Sequence, residues 1–184
     1  MIYRAALILF VATLGAPPEK KQDAGLHKIV TEMVTIKSGD AKITCYLARP
    51  AGDKAAPGLI VIHEWWGLND WVKTQTNRYA AQGYVVMAVD LYRGEVAKEA
   101  EHAHELMRGL TDERATADLK TAFAFLTAHK QSSGKPIGAI GWCMGGGFAL
   151  KLAIAEPKLA CSVVCYGRPV TDIEQLRKIK GSLL

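Results

Sequence analysis

Gly141-Trp142-Cys143-Met144-Gly145, continued by Gly146 and Gly147, is the stretch of this chain best suited to chemistry. It has the G-x-nucleophile-x-G spacing of a sharp strand-to-helix turn, with cysteine at the centre. Glycines two residues either side of Cys143 remove side chains that would clash in such a turn, so the thiol can point out above the carboxyl edge of a sheet. The helix starting behind it offers unpaired N–H groups and a positive dipole end, which favour a thiolate and a developing oxyanion. Two plainer readings compete. A Gly-rich strand-to-helix turn can hold phosphate, but neither G-x-x-x-x-G-K-[ST] nor a correctly spaced G-x-G-x-x-G with a downstream acid is present. A cysteine among glycines can also be only a small packing residue.

A second segment supports the nucleophile. Ile62-His63-Glu64-Trp65-Trp66-Gly67-Leu68-Asn69 leaves the carboxyl end of an apolar run, at the same rim of the sheet. Folds with this turn take one oxyanion donor from the residue after the nucleophile and another from the loop after a neighbouring strand. Here those N–H groups belong to Met144 and Trp65. His63, at a strand end, reads as a hydrogen-bonded rim residue rather than a base. His102 and His104 have no third ligand at metal spacing and read as solvated. Cys161 and Cys165, four apart in a strand, read as buried packing residues, neither a C-x-x-C redox pair nor a zinc knuckle. No metal and no organic cofactor is expected.

These residues need a scaffold, and the patterning supplies one. Leu59-Ile60-Val61-Ile62 is a continuous apolar run, the mark of a strand buried on both faces. Asn69 caps a helix carrying Trp71, Val72, Tyr79 and Ala80 on one stripe and ending at Gly83. Tyr84 to Val89 is the next strand, residues 98–110 are helical, and Thr111 restarts a helix in which Leu119, Ala122, Phe123 and Leu126 recur at helical spacing. Ile137 to Trp142 is a strand, Phe148 to Ala155 a helix, and Ala160 to Tyr166 a further strand. Upstream, Lys28 to Lys37, the turn Ser38-Gly39-Asp40 and the alternating Ile43, Cys45 and Leu47 predict an antiparallel hairpin. Strands alternating with helices imply right-handed βαβ units: an α/β fold, mostly parallel, with helices on both faces.

Together with Asp90-Leu91-Tyr92-Arg93-Gly94 and Tyr46-Leu47-Ala48-Arg49-Pro50, the two rim segments resemble the dienelactone hydrolase family (carboxymethylenebutenolidase-like) of the α/β-hydrolase fold. The resemblance runs from about Val34 to the end. It implies that Cys143 attacks a lactone or ester carbonyl, and that Glu64 keeps the thiol protonated until substrate displaces the carboxylate. It also implies that the N–H groups of Met144 and Trp65 cradle the oxyanion. Arg93 would bind a substrate carboxylate, although the family's arginine lies one position later; the alternative is an exposed structural arginine. In this fold an acid and then a histidine follow the nucleophile. All 5 histidines precede Cys143, and Asp172 and Glu174 sit in a helix start. Lys180 to Leu184 reads as a strand beginning. The expectation is therefore an N-terminal fragment whose triad acid and histidine lie beyond Leu184, inactive alone. A non-catalytic binding protein of the same fold is the rival reading. A thiol oxidoreductase is disfavoured because no resolving cysteine stands nearby.

Composition narrows the remaining classes. A chain of 184 residues with 49% hydrophobic and 22% charged residues has the makings of one globular domain and excludes general disorder. Four cysteines are too few for a disulfide scaffold. The net charge of +5 is scattered, with no basic run beyond Lys20-Lys21 and Arg177-Lys178, so no nucleic-acid partner is expected. A small-molecule ester or lactone is the expected partner, and the protein is expected to be a monomer. Arg4, the apolar run Ala5 to Leu14, and Gly15-Ala16 before Pro17-Pro18 have the layout of a secretory signal peptide over 1–16. That run is about half the roughly 20 residues of a membrane span, so no stable span is expected. Residues 17–27 read as a linker and 28–184 as the domain. The chain is expected to be exported, and cytoplasmic if the leader is not a signal.

Overall fold

The structure, a computed structural model, describes residues 26–184. The signal peptide and most of the linker expected from the sequence lie outside the described residues.

The domain opens with a hairpin, β1 (Ile29–Ser38) and β2 (Ala41–Pro50), in which Ser38 pairs with Ala41 around Gly39, whose φ is 58°. That left-handed conformation is accessible to glycine without a Cβ penalty, which is why a two-residue turn closes here. Then follow β3 (Gly58–Ile62), α1 (Asp70–Ala81), β4 (Val85–Val89), α2 (Ala100–Gly109), α3 (Asp112–Ala128), β5 (Ile137–Trp142), α4 (Met144–Ala155), β6 (Cys161–Cys165), the single turn α5 (Ile173–Leu176), and β7 (Ser182–Leu183). The seven strands form one sheet in the order β1-β2-β4-β3-β5-β6-β7. Strands β4, β3, β5, β6 and β7 run parallel, and β2 joins β4 antiparallel. The parallel strands thus deliver their carboxyl ends, and the loops after them, to one rim.

Alternation along the strands sorts the core into two layers. Ile60, Ile62, Met87 and Ala139 pack with Leu119, Phe123 and Leu126 of α3 and with Phe148 and Leu152 of α4. Val61, Val86, Ala88 and Ile140 face the other way, with Val72 and Ala80 of α1. The expected helices on both faces are there. The expected caps form too: Asn69 Oδ1 accepts from the Val72 N–H at 3.1 Å, and Thr111 Oγ1 from the Arg114 N–H at 3.2 Å.

Three local expectations are corrected. The buried stripe of α1 is Val72, Thr76 and Ala80, at i, i+4 and i+8; Trp71, one position off it, is 44% exposed and lies edge-on to Trp142 at 5.1 Å. Helix α4 starts at Met144 rather than at Phe148, because its three glycines pack against backbone. Cys161 is exposed, since it opens β6 near the sheet edge, and Cys165 is half-buried. No helix among the described residues is long and apolar enough to cross a membrane.

Strand β3 is central and carries the Glu64-Trp65 segment at its end. Ile60 is fully buried there. Ile60→Ala should cost about 2–5 kcal/mol of stability through lost burial and the cavity left behind. A lower urea midpoint with an unchanged denaturant slope would show it.

Candidate active site

Cys143 has φ 54° and ψ −118°, a conformation that glycine tolerates and an L-residue adopts only under constraint. The constraint is visible atom by atom. The Cys143 N–H donates to the Cys165 carbonyl at 3.0 Å, and its own carbonyl accepts from the N–H groups of Gly146 (3.1 Å) and Gly147 (3.3 Å). A Cβ on Gly141 would fall on the Gly145 carbonyl, and one on Gly145 would lie against the carbonyls of Ile62 and His63. One on Gly146 would stand 2.9 Å from the Cys165 oxygen, and one on Gly167 would strike the backbone of Gly146 and Gly147. The first turn of α4 is therefore wedged between the ends of β3 and β6, and only glycine allows the approach.

That wedge brings Met144 beside the Glu64-Trp65 segment. Among the described residues, neither the Met144 N–H nor the Trp65 N–H donates to a protein acceptor. Both are thus uncommitted donors at the rim. Cys143 and Met144 line a cleft of about 630 Å³, whose wall includes Leu110, Phe148, Tyr166 and Arg168. Among the described residues, no three His, Cys, Asp or Glu side chains converge as a metal site requires.

His63 is fully buried. Its Nε2 accepts from the Leu91 N–H at 3.2 Å, so Nδ1 carries the proton and donates to the Glu64 carbonyl at 2.5 Å. Both ring nitrogens are spent, and burial lowers the pKa, so the ring stays neutral. It ties the end of β3 to the loop after β4. Asp90 holds that loop by accepting from the N–H groups of Tyr92 (3.0 Å) and Gly94 (2.5 Å). Tyr92 then packs edge-on to His63 and hydrogen-bonds the Met144 sulfur at 3.2 Å. Burial pushes the Tyr92 hydroxyl up to about 12, and a charge on Cys143 adds to this.

Glu64 is half-buried, and its Oε1 accepts from the Tyr166 hydroxyl at 2.8 Å. Sequence reasoning missed Tyr166; its only signal was its place at the end of a rim strand. Arg93, expected to bind a substrate carboxylate or else to be an exposed structural arginine, is paired in this structure. Its guanidinium is taken up by buried Asp118, with Nη2–Oδ1 at 3.0 Å and Nη1–Oδ2 at 2.7 Å, rather than held free for a substrate carboxylate. It lines a separate hollow of about 380 Å³ with His102, Glu105 and Arg114, away from Cys143. Of the α2 histidines, His104 is exposed, as expected, and lies edge-on to Trp65 at 4.6 Å, whereas His102 is half-buried in that hollow's wall. Asp172 caps α5, as its place in a helix start implied.

Residues 43–184 match the profile of the dienelactone hydrolase family. The chain belongs to that family. Relatives include protein usf of Aquifex pyrophilus, 34% identical over 78% of this chain and 64% of its own length. The carboxymethylenebutenolidase of Pseudomonas putida is 26% identical over 82% of this chain and 66% of its own. The chain thus spans just under two thirds of the length of these two curated relatives. Among solved structures, m3DLH superposes with a TM-score of 0.76 at 26% identity, covering 84% of this chain and 67% of that one. The α/β-hydrolase fold agrees with this membership.

The buried neutral His63 makes stability pH-dependent in a definite sense. Its folded pKa lies below the ordinary value of 6.5, so the unfolded chain binds more protons in mildly acidic solution. The stabilisation is complete above pH 6.5 and is lost as pH falls below it, toward the folded pKa. Denaturant midpoints followed downward from neutral pH should fall in this window. The slope should be shallower in His63→Gln, which cannot titrate.

Proposed function

We propose that this chain carries the nucleophile of a hydrolase of lactones or carboxylic esters, with Cys143 as the attacking thiol. The observation that carries the reading is the constrained φ of Cys143 at the start of α4, on the wall of a cleft and beside two uncommitted backbone donors. The sulfur, as thiolate, adds to the carbonyl carbon while the oxygen gathers charge between the N–H groups of Met144 and Trp65. Collapse breaks the acyl C–O bond, and the leaving oxygen takes a proton. Water then cleaves the thioester, returning the thiol and releasing the acid. Glu64 stands by as the carboxylate that keeps the resting sulfur protonated. The name of the Pseudomonas putida relative, carboxymethylenebutenolidase, supports an unsaturated lactone as the substrate class.

The thiol needs a base, and the leaving oxygen an acid, contributions worth on the order of 10²–10⁴ in rate. His63 has neither nitrogen free, His102 faces the other hollow, and His104, against Trp65, does not line the Cys143 cleft. We therefore propose that the triad acid and histidine come from sequence beyond Leu184. A non-catalytic binding protein is the second reading, favoured by the lack of an available histidine beside Cys143 among the described residues. One experiment separates the two. The 184-residue chain and a chain extended through its gene should be assayed with a small activated ester and a lactone. The extended form should be at least 10²-fold faster, and Cys143→Ala should abolish its turnover. Turnover absent from both forms would favour the binding protein; equal turnover would place the base within these residues.

The leader leads us to propose export. Mass spectrometry of the protein from its native host should find the chain starting near Ala16 or Pro17; a retained Met1 on a cytosolic protein would overturn this.

A further inference from the structure

Tyr166 follows β6 with φ 43° and is 71% exposed, so neither backbone preference nor burial explains why it stands there. Its backbone is fixed by the elbow itself. The Cys165 carbonyl before it accepts from the Cys143 N–H, and Gly167 after it packs on Gly146 and Gly147. The left-handed turn at Tyr166 carries the hydroxyl back over the cleft, to 2.8 Å from Glu64 Oε1. That contact joins residues 102 apart in the chain. Tyr166 also lines the cleft that Cys143 lines.

We infer that Tyr166 is a positioning residue, whose hydroxyl fixes Glu64 as a carboxylate at the mouth of the cleft and so sets how readily the Cys143 thiol ionises. This rests on the role proposed above for Glu64 and names what holds it. A hydrogen bond to the charged form of a carboxyl favours that form, and a fixed negative charge near a thiol disfavours the thiolate. The hydroxyl itself is pushed up to about 12, first by its bond to Glu64 and further by the charges of Glu64 and Cys143, so it remains a donor throughout the working range. Other groups also act on this field. Tyr92 approaches from the loop after β4, with its hydroxyl on Met144; Arg168 faces the cleft from beyond β6. Lys151 of α4 is neutralised by its ion pair with Asp112 of α3, and His63 beneath Glu64 is neutral. None of these donates to the Glu64 carboxylate.

The test is a double-mutant cycle on the 184-residue chain, read by the alkylation rate of Cys143 as a function of pH, with labelling located by peptide mass mapping. This readout requires no esterase activity, so it stands even if Cys143→Ala in the extended chain shows the hydrolase reading to be wrong. Tyr166→Phe keeps the ring and loses only the hydroxyl. The freed Glu64 carboxylate can turn to solvent and away from the thiol, so alkylation at pH 7 should rise about threefold. In a Glu64→Gln background the same substitution should change nothing further. Cys161, exposed and remote from Glu64, is the internal reference, and its labelling should be unaffected. An unchanged Cys143 profile in Tyr166→Phe would overturn the inference. So would an equal shift with and without the Glu64 carboxylate, or a shift that Cys161 shares.

Discussion

The first turn of α4 lies closer to the ends of β3 and β6 than any side chain would permit, and the site depends on that approach. Gly145 is set against the carbonyls of Ile62 and His63, and Gly146 against Cys165 and Gly167. Such contacts between backbones are open only to glycine. They have two consequences. The start of the helix, with its unpaired N–H groups, is pressed against the segment carrying Glu64 and Trp65. Cys143 is meanwhile left with a single way to link strand and helix, the constrained φ that turns its side chain outward. The gathering of Cys143, Met144 and the Glu64-Trp65 segment at one rim is thus a packing result, fixed before any ligand arrives.

The polar groups around this wedge divide by burial. Beneath it, the buried groups next to the site have partners: His63 spans two backbone groups, Asp90 takes two N–H groups, and Asp118 takes the Arg93 guanidinium. An unpaired polar group at those depths would cost more than the fold could spare. Above it, Glu64, Tyr166 and Arg168 stand at the water boundary, where their partners can be exchanged. Rigid charge below and replaceable charge above suit a site in which substrate displaces a resting contact. The same division explains Arg93. A guanidinium committed to a buried aspartate props the loop after β4, and releasing it for a ligand would strand Asp118.

Much of this was legible in the sequence, and what was legible was local. The strands showed as apolar runs, the helices through Asn69, Thr111 and the α3 periodicity, and the elbow through glycines two residues either side of Cys143. Trp71 reads as part of the α1 stripe because a large apolar residue beside a helical stripe resembles a member of it, and only the 100° step per residue separates them. Cys161 reads as buried from sequence because strand composition does not reveal that an edge is near. Arg93 and Tyr166 were beyond reach for a different reason. Their roles come from Asp118 and Glu64, 25 and 102 residues away, and nothing in the local pattern of a chain records which distant side chain the fold will bring to it.

Among the described residues, three non-glycine side chains have positive φ: Arg93, Cys143 and Tyr166. They follow β4, β5 and β6 respectively, all at the same rim. A left-handed L-residue costs roughly 1–2 kcal/mol, and the ψ of Cys143 lies outside even the left-handed helical basin. Such a cost spread at random through the domain would call for no explanation. Here it falls where each parallel strand hands over to its loop. There the chain must reverse direction, and at Cys143 and Tyr166 it does so with the side chain on the wall of the cleft. The core beneath supplies the stability that holds these turns in place. The strain at the rim is thus local, set against a sheet and two helical layers with no corresponding strain of their own.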